Sequence, residues 1–235
     1  SVVSKVTYPA YSKLQGSTIK LKNAFLKVLQ VSAFFSFTTA VFIISLAEDI
    51  TVIILGEKWI SIVPTLKVLA ISGAVKSIRG TMVSVFKSIG KPKIATKWDI
   101  VDLLFLCVFV YPLSVKYGIV GTSYAILLSS LISTIGYSSG IIQELKCKFT
   151  QFGKMILFPV INGLVIVLLL TFFKNNIDST KLLGLFYLIS LGILTTTINM
   201  FLFEKLFDYK VISLIKNVIT GFKRSRTEVN GISHE

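Results

Sequence analysis

Long apolar runs separated by short basic connections dominate the pattern of this chain. A helix that crosses the hydrocarbon core of a bilayer needs about 20 mostly apolar residues. Residues 28–47, 118–143, 155–173 and 182–203 meet that need directly. Two further runs are interrupted. Residues 63–86 contain Lys67, Lys76 and Arg79, and residues 100–115 form a short run with Asp99 and Asp102 at its start. Both count as spans, because omitting either breaks the alternation of basic and non-basic connections. The pattern predicts an all-α polytopic membrane bundle of about six helices, here spans A to F in chain order. No segment shows the two-residue alternation of a barrel strand.

Composition supports lipid as the solvent. The chain is 53% hydrophobic and 15% charged, with a mean hydropathy of +0.79, whereas a soluble domain of this length carries a far more charged surface. A formal charge of +14 would otherwise suggest nucleic acid. A nucleic-acid binder gathers its lysines on a soluble face, while here they punctuate apolar runs, so membrane lipids are the expected partner and nucleic acid is not.

The cations also set a direction. Eighteen lysines and arginines fall in the N-terminal segment, the B–C and D–E connections and the C-terminal tail. Only Lys58, Lys116, Lys174 and Lys181 lie in the other connections, mixed with Glu48, Asp49, Glu57 and Asp178. By the positive-inside rule, both ends of a multi-pass cell-membrane protein are then cytoplasmic. The expected organisation is a cytoplasmic amphipathic segment over 1–27, a six-helix lobe over 28–203, and an amphipathic helix with a disordered tail over 204–235. Leu21, Ala24, Phe25 and Val28 make one apolar stripe, and Val211, Ile215, Val218 and Phe222 another, both expected to lie along the membrane surface.

Span B carries the most informative feature. Placing Lys76 and Arg79 near mid-membrane costs roughly 2.5–3.5 kcal/mol each, while Lys67 and Lys87 can snorkel to the two surfaces. At about 100° per residue, Thr65, Ser72, Gly73, Lys76, Arg79, Gly80 and Lys87 share one face, interrupted by Leu69 and Val83. Two readings stand. The cations are a structural set paired with carboxylates of neighbouring helices, or they form the wall of a water-filled cavity that accepts an anion, with Ser72 beside them. The second is preferred because carboxylates are scarce, and Asp99 and Asp102 lie at the wrong depth for Lys76. Those two aspartates read as an interfacial belt beside Lys97 and Trp98, or as a proton or cation coupling site in which Asp102 is the deeper candidate.

Span D is different in kind. Gly118, Thr122, Ala125, Ser129, Ser133, Gly136 and Gly140 form a stripe of small residues, a face on which helix backbones approach closely in lipid. Pro112 and Pro159 are candidate kinks. Cys107 lies in an apolar run and Cys147 in a basic loop, an unpromising disulfide, and the lone His234 supports no metal site. No cofactor is expected. The chain opens at Ser1 without the order of a signal peptide, and reads as a piece of something longer.

Several connections are familiar in their order. Pro9-Ala-Tyr-Ser-Lys-Leu-Gln15, Leu55-Gly-Glu-Lys-Trp59 followed by Pro64, Leu69-Ala70, Gly90-Lys-Pro92 and Tyr117-Gly-Ile-Val-Gly-Thr122 resemble successive segments of the polysaccharide-type, lipid-linked oligosaccharide flippases of the multidrug/oligosaccharidyl-lipid/polysaccharide exporter superfamily. Residues 1–143 carry the resemblance, and beyond them only hydropathy continues it. The resemblance implies that the chain is most of the C-terminal lobe of a two-lobe transporter, with a second, N-terminal lobe as partner. It further implies a central cationic cavity that takes a lipid-pyrophosphate-linked oligosaccharide and exposes it to each side in turn. Lys76 and Arg79 are then placed to hold the pyrophosphate. A drug or cation antiporter of the same superfamily would instead prefer carboxylates in its cavity. A membrane polysaccharide polymerase or ligase would need a large outward loop, and the outward connections here are short.

Overall fold

The structure, a computed structural model, describes residues 11, 12, 14, 16–174 and 182–207. The surface helix expected over 211–222, the polar tail and most of the 9–15 motif lie outside the described residues. Within them all regular structure is helical: α1 (Thr18–Leu55), α2 (Val63–Ser88), α3 (Pro92–Leu145), α4 (Phe149–Lys174) and α5 (Leu182–Phe207), with a 3-10 turn at Glu57–Ile62 between α1 and α2. The boundaries have local causes. Ser17 Oγ accepts the Lys20 N–H at 3.4 Å and caps α1. Pro64 and Pro92 sit in the first turns of α2 and α3, where a helix has no use for an N–H. Gly56, at φ 89°, closes α1 by donating its N–H to Thr51 O and Val52 O, and Gly90, at φ 73°, turns α2 into α3.

All five helices are long and apolar enough to cross a bilayer. With 54 residues, α3 would be about 81 Å long if straight, enough to cross twice. It does fold back. Gly118 leaves helical geometry at φ 60° and ψ −137°, and divides α3 into two antiparallel arms. Lys91 pairs with Glu144, Trp98 lies on Gly136, and Gly121 sits against the Leu113 carbonyl. The arms coincide with spans C and D, so the five helices, with α3 folded at Gly118, supply the six expected spans. The fold is an all-α polytopic membrane bundle.

The helices pack in the order α3, α2, α1, α4, α5, with α1 also touching α5. Leu21, Phe25, Leu29, Met82, Phe86, Tyr137, Ile141 and Phe152 fill the core at one end, and Leu46, Ile166, Leu170 and Leu188 the other. Between them, Asn162 Nδ2 donates to Thr38 Oγ1 at 3.2 Å, and Asn199 Nδ2 donates to Asn162 Oδ1 at 3.0 Å, tying α1, α4 and α5 together. The small-residue stripe is a packing face: Ala125, Ser129 and Ser133 are buried, Trp98 covers Gly136 and Phe86 covers Gly140.

One expectation needs correction. The stripe starting at Leu21 is not a separate surface helix. Helix α1 runs without a break through residue 27, and Leu21 and Phe25 are buried in the core against α2 and α3. A two-turn apolar stripe binds a lipid surface and a protein core equally well. Here the neighbouring helices α2 and α3 cover it.

Candidate functional site

Helix α2 presents two different polar faces, and the cations of span B divide between them. Lys76 is exposed and makes no ion pair or hydrogen bond among the described residues. One turn away, Gly73 helps to line an open groove of about 450 Å³ between α1 and α2. Phe35, Thr39 and Ile43 form its α1 wall, and Leu66, Ala70 and Gly73 its α2 wall. The groove is apolar apart from its hydroxyls, and Ser36 Oγ donates to Ser77 Oγ at 2.6 Å to tie its floor together. Without side chains at Gly73 or beyond Cβ at Ala70, the helix leaves room beside the lysine.

Arg79 turns the other way. Its Nη1 donates to Asp102 Oδ2 at 2.7 Å and to Ser133 Oγ at 2.9 Å, and its guanidinium lies 5.9 Å from the centre of the Tyr137 ring. The Arg79 and Asp102 side chains are only 16% and 20% exposed. Tyr137 in turn donates its hydroxyl to Asp99 Oδ1 at 2.8 Å, with Ala95 O at 2.7 Å. Asp102 Oδ1 is buried without a hydrogen-bond donor. Arg79, Asp102, Ser133, Tyr137 and Asp99 thus form one polar cluster between α2 and the two arms of α3. A cation bound this closely to a carboxylate offers little net charge to a ligand.

The five residues singled out from the sequence therefore fall in three places. Lys76 is exposed one turn from Gly73 of the groove and is not itself among the residues that line it. Arg79, Asp102 and Asp99 belong to the cluster behind it. Ser72 is buried, its Oγ donating to Val68 O at 3.1 Å, so it does not face the groove. Of the two cations, Arg79 is paired with a carboxylate, and Lys76 has none among the described residues. Ser133 and Tyr137 were missed as members of the cluster. A usable signal existed: Arg79 and Asp102 stand eleven and twelve residues from Gly90, on opposite sides of that turn. Two antiparallel helices leaving one turn bring such residues to the same depth.

Charge pairs elsewhere brace the lobe. Lys67 Nζ lies 3.0 Å from Glu48 Oε1, and Lys174 Nζ lies 2.6 Å from the buried Asp49 Oδ2, at the end of the bundle opposite Lys91 and Glu144. Both link α1 to a neighbouring helix at a depth where lysine side chains can still reach water.

Residues 1–64 match the family described as polysaccharide biosynthesis protein. Over 134 residues the chain is 27% identical to an uncharacterized membrane protein in the cps region of Klebsiella pneumoniae, a match covering 57% of this chain and 28% of that protein. It is 25% identical to the lipopolysaccharide biosynthesis protein WzxC of Escherichia coli over 57% of this chain and 27% of that one. To the teichuronic acid biosynthesis protein TuaB of Bacillus subtilis it is 29% identical, over 42% of this chain and 20% of that one. The fold resembles that of the lipid II flippase MurJ in its inward closed conformation, with a TM-score of 0.68 and 20% identity, covering 86% of this chain and 42% of that one. The matches thus span less than half of each relative.

Proposed function

We propose that this chain, a relative of the polysaccharide-biosynthesis membrane proteins, is one lobe of a transporter that flips a lipid-linked oligosaccharide across the cell membrane. The observation that carries the reading is the exposed Lys76 on a membrane-spanning helix, without an ion pair among the described residues and one turn from an open apolar groove. An intramembrane charge without a partner is costly, and such a residue usually marks a ligand or ion path. A pyrophosphate linked to a polyprenyl tail and a sugar chain needs a cation at membrane depth with apolar surface next to it. Lys76 and the α1–α2 groove provide both. A second lobe facing this groove would complete a cavity that opens to each side in turn as the lobes rock. The basic end of the bundle is cytoplasmic in this reading, so the oligosaccharide enters from that side.

The cluster behind the groove has a separate role in the same reading. Arg79 and Asp102 fix the α3 hairpin against α2, and so hold Lys76 at its depth. A proton taken up by Asp102 would loosen Arg79, which leaves Asp102 as the coupling candidate and Asp99 as its neighbour through Tyr137. A membrane antiporter for cations is disfavoured, because the open face offers a cation and no carboxylate among the described residues.

The test is depletion of the full-length protein in its own cell. Lipid-linked oligosaccharide should accumulate at the cytoplasmic face, and surface polysaccharide should fall. Unchanged surface polysaccharide with no accumulated intermediate would overturn the reading.

A further inference from the structure

The first arm of α3 carries a surface unrelated to the groove. At its start, a shallow depression of about 390 Å³ is lined by Lys93, Thr96, Lys97, Ile100 and Val101. At helical spacing, Lys93 and Lys97 continue into Ile100, Leu104, Val108, Tyr111 and Val115 along one face of the arm. Each of these five apolar residues is more than half exposed. The opposite side of the arm is the one that packs: Ala95 is buried, Trp98 lies on Gly136, and Asp102 holds Arg79. The stripe therefore faces away from α2 and from the Lys76 groove.

Its charge is uncompensated. Neither Lys93 nor Lys97 makes an ion pair among the described residues. Among the described residues, Lys97 Nζ lies against the Trp98 ring, 5.5 Å from its centroid. The nearby carboxylates are engaged elsewhere, Glu144 by Lys91 and Asp99 by the Tyr137 hydroxyl. No carboxylate lines the depression. From Lys93 to Val115 the arm rises about 33 Å, close to the thickness of a hydrocarbon core. Two cations thus stand at the membrane surface at the head of an apolar rail that runs through the bilayer.

We propose that this stripe is a specific site for an anionic phospholipid of the bilayer, whose phosphate is held by Lys93 and Lys97 while an acyl chain lies along Ile100, Leu104 and Val108. Ordinary phospholipid is favoured over the transported lipid because the stripe is on the far side of the arm from the groove. Bound there, the lipid fixes the end of the hairpin that carries Asp102, the partner of Arg79.

The experiment uses the full-length protein in nanodiscs of phosphatidylcholine with a minor fraction of phosphatidylglycerol, followed by native mass spectrometry. Wild type should retain phosphatidylglycerol in preference to phosphatidylcholine. K93Q/K97Q should weaken that retention by about tenfold or more, while K93R/K97R keeps it. The control K58Q/K116Q removes the same charge from the opposite end and should change nothing. Wild-type retention by K93Q/K97Q, or equal loss in the control, overturns the proposal. A photoreactive side chain at position 104 in otherwise wild-type protein gives a reading independent of how the lysine variants fold. It should label phosphatidylglycerol well above that lipid's share of the disc, and labelling in proportion to composition overturns the site.

Discussion

Replacing Asp102 by Asn removes a charge while keeping nearly the same shape, and leaves Arg79 inside the bundle without its carboxylate. Breaking a buried ion pair by neutralising one partner costs ~3–5 kcal/mol in soluble proteins, and an unmatched arginine at mid-membrane costs a similar ~2.5–3.5 kcal/mol. Arg79 keeps Ser133 Oγ and the ring of Tyr137, and both partners retain some exposure. These reduce the expected loss to ~2–3 kcal/mol. R79Q should cost a comparable amount, because Asp102 then stands alone. The double variant R79Q/D102N removes both charges and should lose only ~1 kcal/mol, a coupling of ~3–5 kcal/mol. Denaturation of the purified full-length protein in mixed detergent micelles gives all four corners of the cycle. Single variants as stable as wild type, or a double loss equal to the sum of the singles, would refute the pairing. Export by the stable double variant then assigns Arg79. Retained export leaves Lys76 as the substrate cation of this helix, and lost export returns Arg79 to the substrate.

Two further outcomes follow from the backbone and the loops. Gly118 adopts φ 60° and ψ −137°, a region closed to residues with a Cβ, so G118V should destabilise the protein by ~1–3 kcal/mol; a wild-type unfolding curve would show that the two arms do not turn there. Impermeant thiol reagents applied to intact cells should label a cysteine at position 57 and not one at position 91. In the same experiment native Cys147 should stay unreactive even in opened membranes near neutral pH, because it is buried and desolvation raises its thiol pKa, keeping it protonated. Rapid labelling of Cys147 in the folded protein would contradict its place in the core.

Much of the architecture was legible because membrane helices announce themselves by length. The six crossings, the break at residue 118 and the packing role of the Gly136 face all follow from hydropathy and residue size. Helix ends were less legible. Hydropathy detects only the part of a helix that lies in hydrocarbon, so α1 was read as 28–47 although it spans Thr18–Leu55. The same blindness made a surface helix of Leu21 and Phe25. At the site, helical spacing grouped Lys76 and Arg79 on one side of span B, but a stripe about 120° wide can face two neighbours. With Lys76 exposed and Arg79 turned toward α3, the partner of Arg79 depends on the register of the α2–α3 turn. That register could be counted from Gly90, whereas the outward course of Lys76 required the packed helices.

The most direct measurement is export by the full-length protein carrying Lys76→Gln. Glutamine keeps the length and polarity of the side chain at the groove but removes its charge. The variant should insert at wild-type levels, since no pair among the described residues is broken, while the transfer of lipid-linked oligosaccharide to the outer face falls at least tenfold. Lys76→Arg, which retains the cation, should keep much of the activity. Undiminished transfer by a well-expressed Lys76→Gln protein would contradict the assignment of the groove as the substrate path.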